Sequence, residues 1–225
     1  MSNDALDWNG TAESELEFGR AAFRSGYDEK RAAALASDDL VLLDAFYRRR
    51  GERFQGRSAI VEFGCELTRG SDWLACGGPL VITDIIEPEL VASFERLKTK
   101  SLAADTRLMM LHNQEDIASL PACDLFYAAL SVKAIPPTVL AQMLELLLIK
   151  VATGGLALLH LPTQHKHYQL MLKNAQDLRD LTVLPQWRLF EILEKLDFAL
   201  VIVQENRHLS SSDIIYHTVL AQRRA

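Results

Sequence analysis

The chain has 225 residues, 49% of them hydrophobic and 24% charged, with a formal net charge of −6. That length and apolar content allow one large domain with a sizeable core, and exclude a disordered or low-complexity chain. An acidic chain without a Lys/Arg-rich face lacks the positive charge that releases counterions from a phosphate backbone, so nucleic acid is not an expected partner.

Cys65, Cys76 and Cys123 are odd in number and lack CxxC spacing, which argues against a disulfide framework and a zinc site. The opening Met1-Ser2-Asn3-Asp4 is polar and acidic where a secretory leader is basic and then apolar. Charges interrupt the longest apolar stretches well short of a membrane span, so no membrane partner is expected. The chain reads as cytoplasmic.

Residues 12–50 carry helical periodicity. Leu16, Gly19, Ala22 and Phe23 share one face of a first helix, and Leu35, Leu42, Leu43 and Phe46 stripe a second after Ser25-Gly26. Arg48-Arg49-Arg50 closes it, where cations complement the helix dipole. Residues 1–57 are thus expected to form a helical extension packed on a core domain at 58–225. From Ser58 onward, short apolar runs alternate with helical patterns. The runs are Ala59–Phe63, Leu80–Ile86, Arg107–Leu111, Leu125–Leu130, Leu156–Leu161, Ala199–Val203 and Ile214–Leu220. Several are apolar on both faces, as strands of a covered parallel sheet must be.

The intervening helices carry start and stop signals. Pro88 sits in a first turn with Glu87 and Glu89, and Lys98 and Lys100 lie at the other end. Another helix opens at Pro136-Pro137, buries Leu140, Met143, Leu144 and Leu147, and is expected to stop at Gly154-Gly155. Residues 162–184 fit neither period and are expected to form an insert, a lid over the sheet edge. Trp187 and Phe190 read as core. The alternation predicts an α/β fold, a doubly wound, mostly parallel seven-stranded sheet with N-terminal helices.

In such sheets ligands bind beyond the carboxyl ends of the strands, where strand order reverses. The first strand runs into Glu62-Phe63-Gly64-Cys65-Glu66-Leu67-Thr68-Arg69. The second ends at Asp84, twenty residues after Gly64 and about where a ribose-binding carboxylate belongs. Glu115-Asp116-Ile117-Ala118-Ser119-Leu120-Pro121 follows the third. Then come Asp124–Ala128, Val132–Pro137, Gly154–Thr163 and Val183-Leu184-Pro185-Gln186. This order of segments resembles the class I S-adenosylmethionine-dependent methyltransferases from about Ser58 to the C-terminus. It is most similar to small bacterial members with an acid-x-Gly-Cys-Gly-x-Gly-Arg first loop.

The resemblance implies a Rossmann-like fold, S-adenosylmethionine as cofactor and a small-molecule acceptor, such as a sugar or polysaccharide precursor. It puts Glu62, Gly64 and Cys65 along the methionine end of the cofactor, Asp84 on the ribose hydroxyls, Asp116 on the adenine amine and Ile117 on the adenine face. Carboxylates suit vicinal hydroxyls, and an apolar side chain suits a flat base. The plainer reading of Asp84 and Asp116 is that they cap helices.

Two loop glycines of that pattern are replaced by Glu66 and Thr68. A Cβ there obstructs close backbone approach, and the Glu66 charge repels the cofactor's carboxylate. Arg69 offers a compensating bidentate partner. Lys133-Ala134 replaces the family's Gln-His pair. Candidate bases are His160, His165, His167 and Tyr168, each of which has a structural reading beside the catalytic one. The sequence therefore supports a methyltransferase first, and a catalytically inactive relative serving as a binding partner second. An NAD-dependent oxidoreductase fits less well.

Overall fold

A computed structural model describes residues 29–64, 70–85, 87–102, 104–129, 137–165, 183–210 and 214–224. The expected first helix, the loop residues Cys65–Arg69, and His167 and Tyr168 lie outside them. The first described element is α1 (Glu29–Arg49), whose last turn carries Arg48 and Arg49. Then follow β1 (Ile60–Phe63), α2 (Gly70–Leu74), β2 (Leu80–Asp84), α3 (Glu87–Thr99), β3 (Thr106–Met110), α4 (Gln114–Ser119) and β4 (Cys123–Ala129). The chain continues with α5 (Pro137–Leu148), β5 (Val151–His165), α6 (Gln186–Lys195), β6 (Phe198–Glu205) and β7 (Ile214–Arg223). All seven expected strands form. No helix among the described residues is long and apolar enough to cross a membrane.

The strands make one sheet in the order β3-β2-β1-β4-β5-β7-β6. Pairing is parallel except that β7 runs antiparallel to both β5 and β6. The order reverses between β1 and β4, which is where a doubly wound sheet opens a crevice at the strands' carboxyl ends. Alternate side chains feed two cores. Val61, Phe63, Phe126, Ala157 and Leu159 pack with α5 and α6 through Leu140, Leu144, Leu189 and Ile192. Ile60, Ile82, Leu125, Tyr127, Leu156 and Leu158 pack on the other face with Leu43 and Tyr47 of α1, Trp73 of α2 and Leu90 of α3. Right-handed crossovers put α5 and α6 on the first face of the β4–β5 half, and among the described residues α1 packs on its second face. The N-terminal helix is thus a structural layer.

Three sequence expectations change. Gly154 and Gly155 do not stop α5, which ends at Leu148; both lie inside β5. Between Cys123↔Val151 and Leu125↔Leu156, β4 advances two residues while β5 advances five, and Gly154 takes the bulge with φ +82°. A Cβ on Gly155 would sit 2.9 Å from the Ala152 carbonyl oxygen and 3.0 Å from that of Asp124. Residues 162–165, assigned to an insert, continue β5 against β7, while 166–182 lie outside the described residues. Trp187 is no core residue, being 64% exposed at the start of α6; Phe190 is partly buried.

Candidate functional site

The candidate site lies where the strand order places a crevice, at the ends of β1 and β2. Every residue of β1 is buried, Glu62 included at 0% exposure. One oxygen of its carboxylate, Oε2, accepts from the Ser71 hydroxyl at a very short separation. The other, Oε1, is sealed from solvent without a hydrogen-bond partner among the described residues. Burial pushes the Glu62 carboxyl up to about 7, against the Ser71 hydrogen bond and the Arg96 charge that hold it down, while Asp84 adds to the rise. A buried acceptor left without a donor costs about 1–3 kcal/mol, so evolution retains one where something else meets it.

The backbone around Glu62 is fixed by β2. The Thr83 hydroxyl donates to the Glu62 carbonyl at 2.7 Å, and Gly64 N donates to the Thr83 carbonyl at 3.1 Å. Gly64 has φ +80°, a conformation that L side chains rarely adopt. Gly70, which sequence reasoning did not single out, opens α2 against the same carboxylate. A Cβ there would lie 2.5 Å from Glu62 Oε1 and 2.6 Å from Tyr127 Cε1. Its signal was masked because both neighbours come from other strands.

Asp84 closes β2, 5% exposed, with Oδ1 accepting from Ile85 N at 2.7 Å. Its carbonyl accepts from Leu111 N at 3.0 Å, which brings the end of β3 alongside. Just beyond, Asn113 caps α4 through Glu115 N and Asp116 N, and Asp116 Oδ2 reciprocates to Asn113 N at 3.2 Å and His112 N at 2.7 Å. Asp116 therefore performs the capping role of the plainer reading. Ile117 is 1% exposed among Leu111, Leu120 and Val81. Glu62 and Gly64 lie at the end of β1 beside the reversal, Asp84 ends the neighbouring β2, and Asp116 and Ile117 lie on α4 after β3. Cys65 and Arg69 are outside the described residues.

A second polar cluster sits under α1 on the same face. Asp39, 2% exposed, accepts through Oδ2 from the Tyr127 hydroxyl at 3.1 Å and meets His160 Nε2 at 3.0 Å. On its other side, His160 Nδ1 lies 3.0 Å from Thr218 Oγ1 and 3.1 Å from Asn206 Nδ2. Asn206 Oδ1 accepts the backbone N–H groups of His208 and Leu209, which fixes the amide's orientation. Nδ2 is then a donor, so His160 Nδ1 accepts and Nε2–H donates to Asp39. Both ring nitrogens of the 0%-exposed His160 are spent on the protein, the structural of its two readings. The His165 side chain lies outside the described set.

No family model matches the sequence, and no curated protein is detectably similar to it. The structure is similar to several solved ones. N-methyltransferase NodS from Bradyrhizobium japonicum WM9 superposes with a TM-score of 0.62 at 13% identity, over 88% of this chain and 99% of that one. Magnesium protoporphyrin IX methyltransferase (ChlM) from Synechocystis PCC 6803, solved with bound S-adenosylhomocysteine, gives 0.65 at 14% identity, over 92% of this chain and 94% of that one. The same enzyme with bound S-adenosylmethionine gives 0.62 at 16%, over 99% and 100% of the two chains. Strand order, an antiparallel β7 and near-complete superposition together identify this chain's fold as that of the class I S-adenosylmethionine-dependent methyltransferases.

Proposed function

We propose that the protein binds S-adenosylmethionine in the crevice at the ends of β1 and β2 and transfers its methyl group to a small-molecule acceptor. One observation carries this reading: Glu62 Oε1, fully buried at the reversal point of the sheet, has no donor within the described protein. The cofactor's ammonium is a donor of the right charge for it. Gly70 carries no Cβ to crowd that oxygen, and Gly64 turns the chain beyond β1 with a positive φ. Arg69 takes the cofactor's carboxylate in a bidentate pair. Asp84 presents its carboxylate to the ribose hydroxyls. Asp116 takes the adenine amine through Oδ1, the oxygen its cap leaves unused, and Ile117 supports the adenine face.

When bound, the cofactor supplies a methyl group on a sulfonium, an electrophile that asks the protein chiefly for positioning. The finer reading of the acceptor is a sugar or polysaccharide precursor. His160 is not the base, because its nitrogens are both engaged. Calorimetric titration with S-adenosylmethionine tests the reading. Micromolar binding, with proton release near pH 7 as the ammonium lowers the Glu62 carboxyl, is the expected result. Absence of heat and of thermal stabilisation at millimolar cofactor overturns it.

The second reading is a relative that keeps the fold as a binding partner without turnover. Glu66 and Thr68, standing where the resembling family has glycines, favour it. The loop substitutions discussed below separate the two.

A further inference from the structure

Beside the Asp39–His160 cluster, α1 and the end of β6 line a half-open cavity of about 520 Å³. Its lining is mostly polar and unbalanced in charge. Asp38, Asp39 and Glu205 contribute three carboxylates, while Arg207 is the one permanent cation and His208 is turned to Asp38 at 2.9 Å. An acid-rich wall alone marks a solvated surface. Here a second feature points inward. Every hydrogen bond to Asp39 among the described residues goes to Oδ2, and Oδ1 accepts none. Nor is Oδ1 among the sealed orphan atoms of the protein, so this oxygen of a 2%-exposed residue opens to the cavity that Asp39 lines. Asn206 and Thr218, both nearly buried, add polar groups beside it.

We propose that this cavity is a binding site for a small organic amine, its ammonium held on Asp39 Oδ1 and steered by the rim carboxylates of Asp38 and Glu205. Three properties select that class. A carboxylate oxygen with unused lone pairs on a nearly buried residue favours a cationic donor over a neutral one. The volume exceeds what a hydrated ion needs and falls in the range of small-molecule sites. No group of three or more metal-ligating side chains converges among the described residues, so the acids do not form a metal cage. Tyr127 and His160 hold the Asp39 carboxylate in place through Oδ2, so the anchor is preorganised before the ligand arrives. No residue assigned to the crevice at β1 and β2 lines this cavity, although Tyr127 lies between the two acids, and the site stands whether or not that crevice carries out methyl transfer.

Thermal titration of the full chain with two matched pairs of probes tests it: putrescine against 1,4-butanediol, and glucosamine against glucose. Each pair replaces ammonium by hydroxyl at nearly constant shape. At least one amine should raise the melting temperature by about 5 °C at a hundredfold excess over its Kd, and its neutral twin should not. Glu205→Gln and Asp38→Asn should each weaken that amine about threefold to tenfold, because a rim charge contributes modestly. Asp39→Asn should abolish the shift; should that variant fail to fold, the two rim variants decide. No shift with either amine overturns the site. So does an equal shift with the hydroxyl twin, or an amine effect unchanged in both rim variants.

Discussion

Two buried acids face the same layer of this protein, and they are finished differently. Asp39 reaches across from α1 to Tyr127 and His160, whose far side is closed by Thr218 and Asn206. Glu62 sits on β1 with one oxygen on Ser71 and the other without a donor among the described residues. The first arrangement ties an N-terminal helix to strands far along the chain; His160 is 121 residues from Asp39. The second leaves a buried charge site under-determined and shifts its protonation. Buried polar groups with partners organise a fold, whereas a buried carboxylate oxygen without one is open to a donor from a ligand.

The largest effect should come from the finished cluster. Asp39→Ala removes the buried acceptor shared by the Tyr127 hydroxyl and His160 Nε2. A loss of about 3–5 kcal/mol in unfolding free energy is expected from denaturant titration. The neighbouring Asp38→Ala, 68% exposed at its side chain, should change stability by less than about 1 kcal/mol. Similar losses in the two variants would erase the distinction between a buried tie and a surface pair.

The unfinished acid has a pH signature instead. Its folded carboxyl titrates near 7 against an ordinary 4.5, so the folded state holds the proton more tightly than the unfolded one. That contribution to stability is fully present below 4.5 and is lost as pH rises through 7. A difference of 2.5 pH units corresponds to about 3 kcal/mol at full burial. Other carboxylates titrate oppositely, so the measured quantity is the parent's stability minus that of Glu62→Gln across pH 4–8. A flat difference would mean that Glu62 is not buried as described.

The degenerate loop gives the next test. A ligand that binds only the folded state at a hundredfold excess over Kd stabilises by about 2.7 kcal/mol. The expected outcome is a clear S-adenosylmethionine shift in the parent and a larger one in Glu66→Gly with Thr68→Gly, where a like charge and a Cβ are gone. The shifts are compared, not the melting points, since added glycines raise unfolded-state entropy. A shift only in the double variant makes the parent a non-binding relative. No shift in either breaks the crevice assignment.

The contrast also explains what was legible in the sequence. Strands β1 to β7 were visible because each is a short apolar run bounded by turn residues, and α1 because Leu35 and Leu43 repeat at helical spacing. Glu62, Gly64 and Asp84 were visible because a strand end followed by a glycine, then an acid after the next strand, is a local pattern. Gly70 was not, since what it avoids is Tyr127 on another strand. The Asp39–His160 tie was invisible for the same reason. Gly154-Gly155 misled because positive φ serves a bulge as well as a helix stop, and only the pairing register tells them apart. Asp116 was read two ways, and its cap geometry supplies one of them directly.

The smallest expected effect sharpens the comparison most, because it reads both ends of it in one variant. Asp84→Ala removes a carboxylate at the end of β2 that accepts from Ile85 N. Losing a charged acceptor for the ribose hydroxyls should weaken S-adenosylmethionine binding by about 1–3 kcal/mol, or roughly 5- to 150-fold in Kd. Asp84→Asn, which keeps one acceptor oxygen, should fall between variant and parent. The same substitutions report on Glu62 without any ligand. Asp84 is one of the charges that raise the Glu62 carboxyl, so removing it should move the stability midpoint near pH 7 downward. The two readouts are separable. A lowered midpoint with unchanged cofactor affinity would keep Asp84 beside Glu62 and take it off the ribose. Weakened affinity with an unmoved midpoint would place the cofactor between them as the element that couples the two acids.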